Sequence, residues 1–331
     1  LQALQGKNIL ITGGAGYLAT NILYQMKDMN CHIIRFDRPD ASFLPLEGKF
    51  SITDTKGDVR DRDIWNDLLP GTDIVFHLAA QTSVYVAAED PFADLEINVL
   101  PILHLLETCR KNNWHPAVLF SGTVTEAGLT EKLPVDEFHP DHPITVYDLH
   151  KLMAENYLKH YARENIVNGS TLRLANVYGP GPKSSSADRG ILNKMVRKAI
   201  NGEPLTLYGK GNHIRDYIYV EDVARAFIKA AENIEKLNAR HFIIGSGIGY
   251  TLAEAFNLVI ERAAIKTGRH VDLLHIDPPH AQDPIESRNF VADTTSFCNI
   301  TGWKANHSLI CGIDHTIDSI CNRDYITESS L

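Results

Sequence analysis

An apolar run at residues 8–12 ends in Thr12 and passes at once into Gly13-Gly14-Ala15-Gly16, with a helical apolar stripe directly behind it. That succession leaves the chain little choice. Asn8-Ile9-Leu10-Ile11-Thr12 reads as a short buried strand, and Leu18, Ile22, Leu23 and Met26 recur at helical spacing. A strand that turns through glycines into a helix start presents free backbone amides, an arrangement suited to a pyrophosphate. Gly13 permits the tight turn and Gly16 the close approach of backbone to phosphate. Ala19 stands where a third glycine is usual, and it is small enough to let helix and strand pack. The candidate contacts are Gly13, Gly16, Tyr17 and Leu18. The next strand, 32–36, ends in Asp37, 21 residues after Gly16, where a carboxylate receives the adenine-ribose hydroxyls of NAD. Arg38 beside it leaves NADP as the lesser alternative.

The second informative feature is Tyr147-Asp148-Leu149-His150-Lys151. Tyrosine and lysine four apart share one face of a helix, so the ammonium can sit beside the phenol. A nearby cation favours tyrosinate and pulls its pKa down from about 10, toward the range of a usable base. Thr123, at the end of an upstream apolar run, supplies a hydroxyl that can hold the same substrate oxygen. Taken alone, Thr123 reads as a strand threonine bonded to backbone; its place 24 residues before Tyr147 reverses that preference.

Strands at about 73–78, 117–121 and 169–174 alternate with helices near 92–111 and 147–164, which predicts an α/β fold with a doubly wound parallel (Rossmann) sheet and right-handed crossovers. Beyond Pro180 the pattern loosens. A loop is followed by a helix over 190–201, short strands at 205–208 and 214–218, and a helix over 221–233. A strand at 241–245 returns to the sheet, and a helix over 251–266 precedes the C-terminal segment. The expected division is an NAD-binding part, 1–178 with 214–245 returning to it, and a smaller α/β substrate-binding lobe, 179–213 and 246–331. Substrate is expected in the cleft outside the carboxyl ends of the strands.

A formal charge of −9 argues against nucleic acid as a partner, though not against an anionic small molecule held by a few arginines. No charged-then-apolar leader and no run of eighteen apolar residues occurs, so neither secretion nor membrane insertion is expected. Cys31, Cys109, Cys298, Cys311 and Cys321 lack Cys-x-x-Cys spacing, which suits reduced thiols in the cytoplasm. His139 and His142 sit in a proline-rich loop without a ligand cluster, and no metal site is expected.

Further motifs run in order to beyond residue 290. They are Gly57-Asp58-Val59-Arg60-Asp61, His77-Leu78-Ala79-Ala80-Gln81, Asn98, Phe120-Ser121-Gly122-Thr123, Arg173-Leu174-Ala175-Asn176-Val177-Tyr178-Gly179-Pro180-Gly181 and Arg215-Asp216-Tyr217-Ile218-Tyr219-Val220-Glu221-Asp222-Val223. Together they resemble the extended short-chain dehydrogenase/reductase family, the nucleotide-sugar epimerases and dehydratases. The resemblance implies that Asp58 and Val59 flank the adenine, that Leu78, Ala79 and Ala80 run under the cofactor, and that Val177 also borders it. It implies Tyr147, Lys151 and Thr123 as the catalytic set, with Asn98 as a structural asparagine. The substrate diphosphate is expected at Asn176, Arg215 and Arg288, with Tyr208 placed either over the base or in the core. Asp283-Pro284-Ile285-Glu286 departs from the family's Arg-x-Gly-Asp and leaves the base open. The polar loop 183–189 suits phosphate or sugar hydroxyls, or else forms a plain lid. Family resemblance also implies a homodimer paired through the helices at 92–111 and 147–164.

The residues directly after Thr123 narrow the chemistry. Family dehydratases carry Asp-Glu or Glu there, whereas this chain has Val124 and Thr125; Glu126 comes next and would point to the other side of a continuing strand. Thr125 also occupies the place of the cysteine used by the dual-function epimerase-reductases. What remains is hydride removal and return at one carbon of a nucleotide-diphosphate sugar. The leading expectation is a 4-epimerase, with a 4-dehydrogenase or ketoreductase as alternative and a non-catalytic NAD-binding regulator behind both.

Overall fold

The computed structural model describes residues 2–182, 190–277 and 283–328. The first half alternates β1 (Asn8–Thr12), α1 (Tyr17–Gln25), β2 (His32–Asp37), β3 (Ser51–Lys56), α2 (Ile64–Leu68), β4 (Ile74–His77), α3 (Val84–Glu89), α4 (Pro91–Asn98), α5 (Leu100–Asn112), β5 (Ala117–Thr123), α6 (Val146–Arg163) and β6 (Asn168–Leu174). There follow β7 (Asn176–Tyr178), α7 (Ile191–Asn201), β8 (Leu205–Tyr208), β9 (Ile214–Tyr219), α8 (Val220–Glu232), α9 (Ile234–Leu237), β10 (Arg240–Ile244) and β11 (Gly249–Thr251). The chain closes with α10 (Leu252–Thr267), β12 (Leu273–Ile276), α11 (Thr295–Thr301) and α12 (Leu309–Glu328).

Seven strands form one parallel sheet in the order β10-β6-β5-β4-β1-β2-β3. The order reverses between β1 and β4, which opens a crevice at their carboxyl ends. Thr12, Asp37, His77 and Thr123 are the last residues of β1, β2, β4 and β5, so the candidate groups sit along one rim. On one face α1 packs against α8, and Ile22, Leu23, Val223 and Phe227 join Ile9 and Ile11 in a common core. The other face is covered by α5 and α6, with Leu105, Leu106, Ala154 and Leu158 against Val75, Val118 and Phe120. Each buried valine, leucine, isoleucine or phenylalanine among them contributes about 1.5–3 kcal/mol.

A second cluster lies outside the sheet, where Val196 of α7, Val259 of α10 and Ile313 of α12 meet. Two small sheets belong to this region, β11-β9-β7 and β12-β8. No described helix is long and apolar enough to cross a membrane.

Two local expectations are corrected, and one strand is not anticipated by the sequence. The helix expected over 92–111 is two helices, because Pro101 has no amide to donate back one turn and instead opens α5. The strand β3 has no apolar pattern to announce it; it is a polar edge strand held only by β2. And β5 does not run on past Thr123: residues 124–127 form a 3-10 turn that carries Glu126 back toward the strand end.

Candidate active site

The glycine turn is built as its sequence requires. Gly13 has φ +68°, and a Cβ there would lie 2.9 Å from the amide nitrogen of Ala79. A Cβ on Gly16 would meet the Gly13 carbonyl at 2.8 Å. Thr12 Oγ1 accepts from the amides of both Leu78 and Ala79 at 3.2 Å and pairs with His77 Nδ1 at 2.9 Å. One threonine thereby ties the end of β1 to the chain leaving β4. Burial pushes His77 down to about 3, with the Lys151 charge as a second cause, so the ring stays neutral. Asp37 accepts the Ala15 amide at 2.9 Å and the Arg38 amide at 2.8 Å, which holds its carboxylate against the turn. Gly16 caps α1 without a side-chain hydrogen bond, leaving the first amides of that helix, at Tyr17 and Leu18, for an anion. Tyr17 donates its hydroxyl to the Gly179 carbonyl at 3.1 Å, joining the turn to the strand end that carries Val177.

Elsewhere on the cofactor side, Asp58 is gripped by Arg60 and Arg38 lies 3.7 Å from Asp40. Val59 is buried and accepts from Trp65 Nε1. A carboxylate at the end of β2, bare helix-start amides and a glycine surface without Cβ atoms fit a dinucleotide of the NAD type. The amides and Asp37 would hold its pyrophosphate and ribose.

Tyr147 and Lys151 stand one turn apart on α6, whose start is fixed by Thr145 accepting the Asp148 amide at 3.1 Å. Lys151 is 2% exposed, and its Nζ lies 4.1 Å from the centre of the Phe120 ring. Burial pushes it down to about 8, against the pull of Glu126, Asp94 and Glu155. Asp94 itself receives Gln81 and Asn98 amides and meets His150 Nδ1 at 2.7 Å, which locks α4 and the 81–83 segment to α6.

Thr123 is the N-cap of the 3-10 turn, and Glu126 completes a capping box by accepting the Thr123 amide at 3.0 Å. The Thr-x-x-Glu spacing signals this in the sequence. Glu126 is fully buried, and burial, then the neighbouring Glu155 carboxylate, raises its pKa. Thr123 Oγ1 also lies 2.9 Å from Thr125 Oγ1, which donates in turn to Asp148 Oδ1. Thr125 and Asp148 carry no functional signal in the sequence, because a contact between positions 23 apart has no local signature.

The substrate-side candidates are disposed unevenly. Arg215 is buried and commits its guanidinium to the carbonyls of Ile214, Glu286 and Arg288, with the Glu286 carboxylate at 3.8 Å. Burial and the neighbouring Arg288 push it down to about 10. Arg288 donates one Nη to the Ile285 carbonyl, while its Nε has no partner among the described residues. Tyr208 is 44% exposed at the end of β8, which excludes a core role. Tyr85 of α3, absent from the sequence-based set, interacts electrostatically with Tyr208, Glu286 and Asp283 and so borders this region. Asn176 lies in β7 opposite Tyr217 of β9. The loop 183–189 lies outside the described residues.

Comparison with known proteins gives this geometry its relatives. The model of the NAD dependent epimerase/dehydratase family matches residues 9–245. A Methanocaldococcus jannaschii protein named provisionally as a UDP-glucose 4-epimerase is 31% identical over 264 residues, covering 76% of this chain and 81% of that one. The CDP-paratose 2-epimerase of Salmonella typhi is 28% identical over 94% of this chain and 98% of its own. The UDP-glucose 4-epimerase of Thermotoga maritima, solved with UDP-glucose, matches with a TM-score of 0.82 at 28% identity, covering 96% of this chain and 99% of that one. The chain belongs to the NAD-dependent epimerase/dehydratase family and is an enzyme of the extended short-chain dehydrogenase/reductase type, with NAD as its cofactor.

Proposed function

We propose that the protein is a nucleotide-sugar 4-epimerase, acting on a UDP-hexose as its first candidate substrate. The observation that carries this reading is Tyr147 one turn from a buried Lys151 that has no ion pair among the described residues, beside a Thr123 whose following residues offer no further acid or base. Val124 is buried, Thr125 is bonded to Asp148, and Glu126 is occupied by the Thr123 amide and Arg173. Nothing is left there for an elimination at the neighbouring carbons.

Bound NAD supplies the acceptor and donor of a hydride at the sugar carbon. Tyr147, as phenolate, takes the hydroxyl proton from that carbon's oxygen and gives it back on return. Lys151 keeps the phenolate accessible near neutral pH and reaches the cofactor ribose; Thr123 donates to the same oxygen while it is a ketone. Asn176, Arg215 and Arg288 hold the diphosphate, Arg288 through its unpaired Nε, and Tyr208 with Tyr85 borders the base. The sheet with β10 forms the cofactor part, and the lobe built on α7, α10 and α12 forms the sugar-nucleotide part. The five cysteines form no disulfide, which supports a cytoplasmic protein of carbohydrate biosynthesis.

The test is incubation with UDP-, GDP-, CDP- and dTDP-hexoses without added cofactor, followed by proton NMR and absorbance at 340 nm. The C4 epimer with no lasting absorbance rise is the expected result. Inversion at C2 instead would place the protein with its CDP-sugar relative, and a keto product with stoichiometric NADH would make it a dehydrogenase. Tyr147→Phe is expected to lower turnover by about 10²–10⁴-fold with bound NAD retained. A homodimer through α4, α5 and α6 is part of this reading, with Phe92 81% exposed at the start of α4. A monomer by sedimentation at micromolar concentration would refute the dimer.

A further inference from the structure

One buried carboxylate is left over by the mechanism. Asp148, next to Tyr147 in sequence, is fully buried, and its Oδ1 receives the hydroxyl of Thr125. Its Oδ2 has no hydrogen-bond partner among the described residues. Thr125 Oγ1 in turn meets Thr123 Oγ1 at 2.9 Å, and the Thr125 amide donates to Thr123 Oγ1 at 3.3 Å. We propose that Asp148 and Thr125 form with Thr123 a hydroxyl chain that aims the Thr123 proton at the reacting sugar oxygen, which makes Asp148 a positioning residue for hydride transfer. This deepens the epimerase reading and rests on it.

The number of available protons sets the direction of the chain. A threonine hydroxyl has one proton to give and two lone pairs to receive. Thr123 has to donate to the sugar oxygen for as long as that oxygen is a ketone. With Asp148 ionised, Thr125 gives its only proton to the carboxylate, and its oxygen then competes with the sugar for the Thr123 proton. With Asp148 protonated, the carboxylic acid donates to Thr125, Thr125 donates to Thr123, and the Thr123 proton is left for the sugar. The switch of direction adds one proton from solvent to Asp148, and each hydroxyl rotates to pass its own proton one step along.

Burial raises the Asp148 pKa, opposed by the hydroxyls of Thr125 and Thr145 and by the Arg288 charge. Charged groups on the other elements packed against α6 are engaged elsewhere. Asp94 of α4 pairs with His150, Glu107 of α5 with Arg110, and Arg173 of β6 with Glu155 and Glu126. Tyr85 of α3 interacts with Glu286, and β5 carries no charge. Arg288 is therefore the group through which substrate can act. A diphosphate seated against its guanidinium offsets its pull on Asp148 and favours the protonated, sugar-directed chain.

The experiment uses the full chain with its bound cofactor and the variants Thr125→Val, Thr125→Ser, Asp148→Asn and Thr125→Val with Asp148→Asn. Thr125→Val is expected to lower kcat about 10–100-fold with KM nearly unchanged, and Thr125→Ser to restore it to within about threefold. Asp148→Asn, whose amide can donate as the neutral acid does but carries no titrating proton, is expected to lose the fall in rate at high pH. The double variant is expected to be no slower than Thr125→Val alone, since without the Thr125 hydroxyl the residue at 148 no longer reaches Thr123. A Thr125→Ser variant as slow as Thr125→Val, or a double variant clearly slower than Thr125→Val alone, would overturn the proposal. A second readout needs no turnover: carbon NMR of Asp-labelled protein, with Asp148→Asn for assignment. It should show the Asp148 carboxyl titrating above the ordinary value of about 4, and higher still with UDP bound. Titration in the ordinary range would also overturn the proposal. A wild type that titrates as expected but inverts no sugar would sink the epimerase function and leave the chain standing.

Discussion

Two cations are buried beside α6, and the fold treats them in opposite ways. Arg173 of β6 and Lys151 of α6 are 3% and 2% exposed. Arg173 bonds Glu155 with Nε at 2.9 Å and Nη2 at 2.6 Å, and Asp141 with Nη1 at 2.6 Å. Its Nε also lies 3.0 Å from Glu126 Oε2, an ionic contact without hydrogen-bond alignment. Lys151 has no ion pair among the described residues and rests on the Phe120 ring. Burial lowers both cations' hold on their protons, but the paired carboxylates more than reverse this at Arg173 and fail to do so at Lys151. A cation whose three nitrogens are each engaged by a carboxylate serves to hold the structure together. One left over an aromatic face has its donors available for the phenolate and ribose proposed above, at a cost in stability that packing elsewhere has to offset.

The largest effect expected from breaking this contrast is on turnover. Lys151→Met should lower kcat by about 10²–10⁴-fold, because the phenol of Tyr147 loses the charge that makes it a base. Its folding stability should be unchanged or higher, since an apolar side chain replaces an uncompensated charge. Arg173→Met should do the reverse. It strands Glu126 in the interior, leaves Glu155 only Lys159 and His241, and should cost about 3–5 kcal/mol in urea unfolding. If the two variants lost stability equally, the division into a structural and a functional cation would fail.

One of these cations is legible in the sequence and the other is hidden there. Tyr147 and Lys151 are four apart, so helix geometry alone brings them together, just as Gly13, Gly16 and Asp37 follow from one strand–turn–helix unit. Arg173 reads in the sequence only as the first residue of a family motif. Its partners Glu126, Asp141 and Glu155 come from a 3-10 turn, a loop and a helix, and no local pattern joins them. The same holds for Thr125 and Asp148, and for Tyr85, which reaches the substrate side from a short helix that periodicity does not disclose. Glu126 shows the difference within one residue. Its capping box with Thr123 is a four-residue pattern open to sequence, yet extending the strand straight on puts it on the wrong side. Edge strand β3 escapes for the opposite reason: it buries too little to need an apolar pattern.

The smallest and most discriminating effect is the pH dependence of the Lys151→Met difference. The lysine titrates near 10.5 when unfolded and at about 8 when folded. Below about 8 both states carry the proton, so the wild type bears the full cost of the buried charge and Lys151→Met is the more stable protein. Between about 8 and 10.5 the unfolded wild type binds a proton that the native state does not, so wild-type stability rises with pH by linkage. The advantage of Lys151→Met should therefore shrink across that window in paired urea unfolding curves and vanish above it. Glu126 is the carboxylate that pulls hardest against burial at Lys151. Glu126→Gln should accordingly start the wild-type rise at a lower pH. A difference that stayed flat from pH 7.5 to 10 would show that Lys151 is compensated after all, and the contrast with Arg173 would reduce to one of geometry.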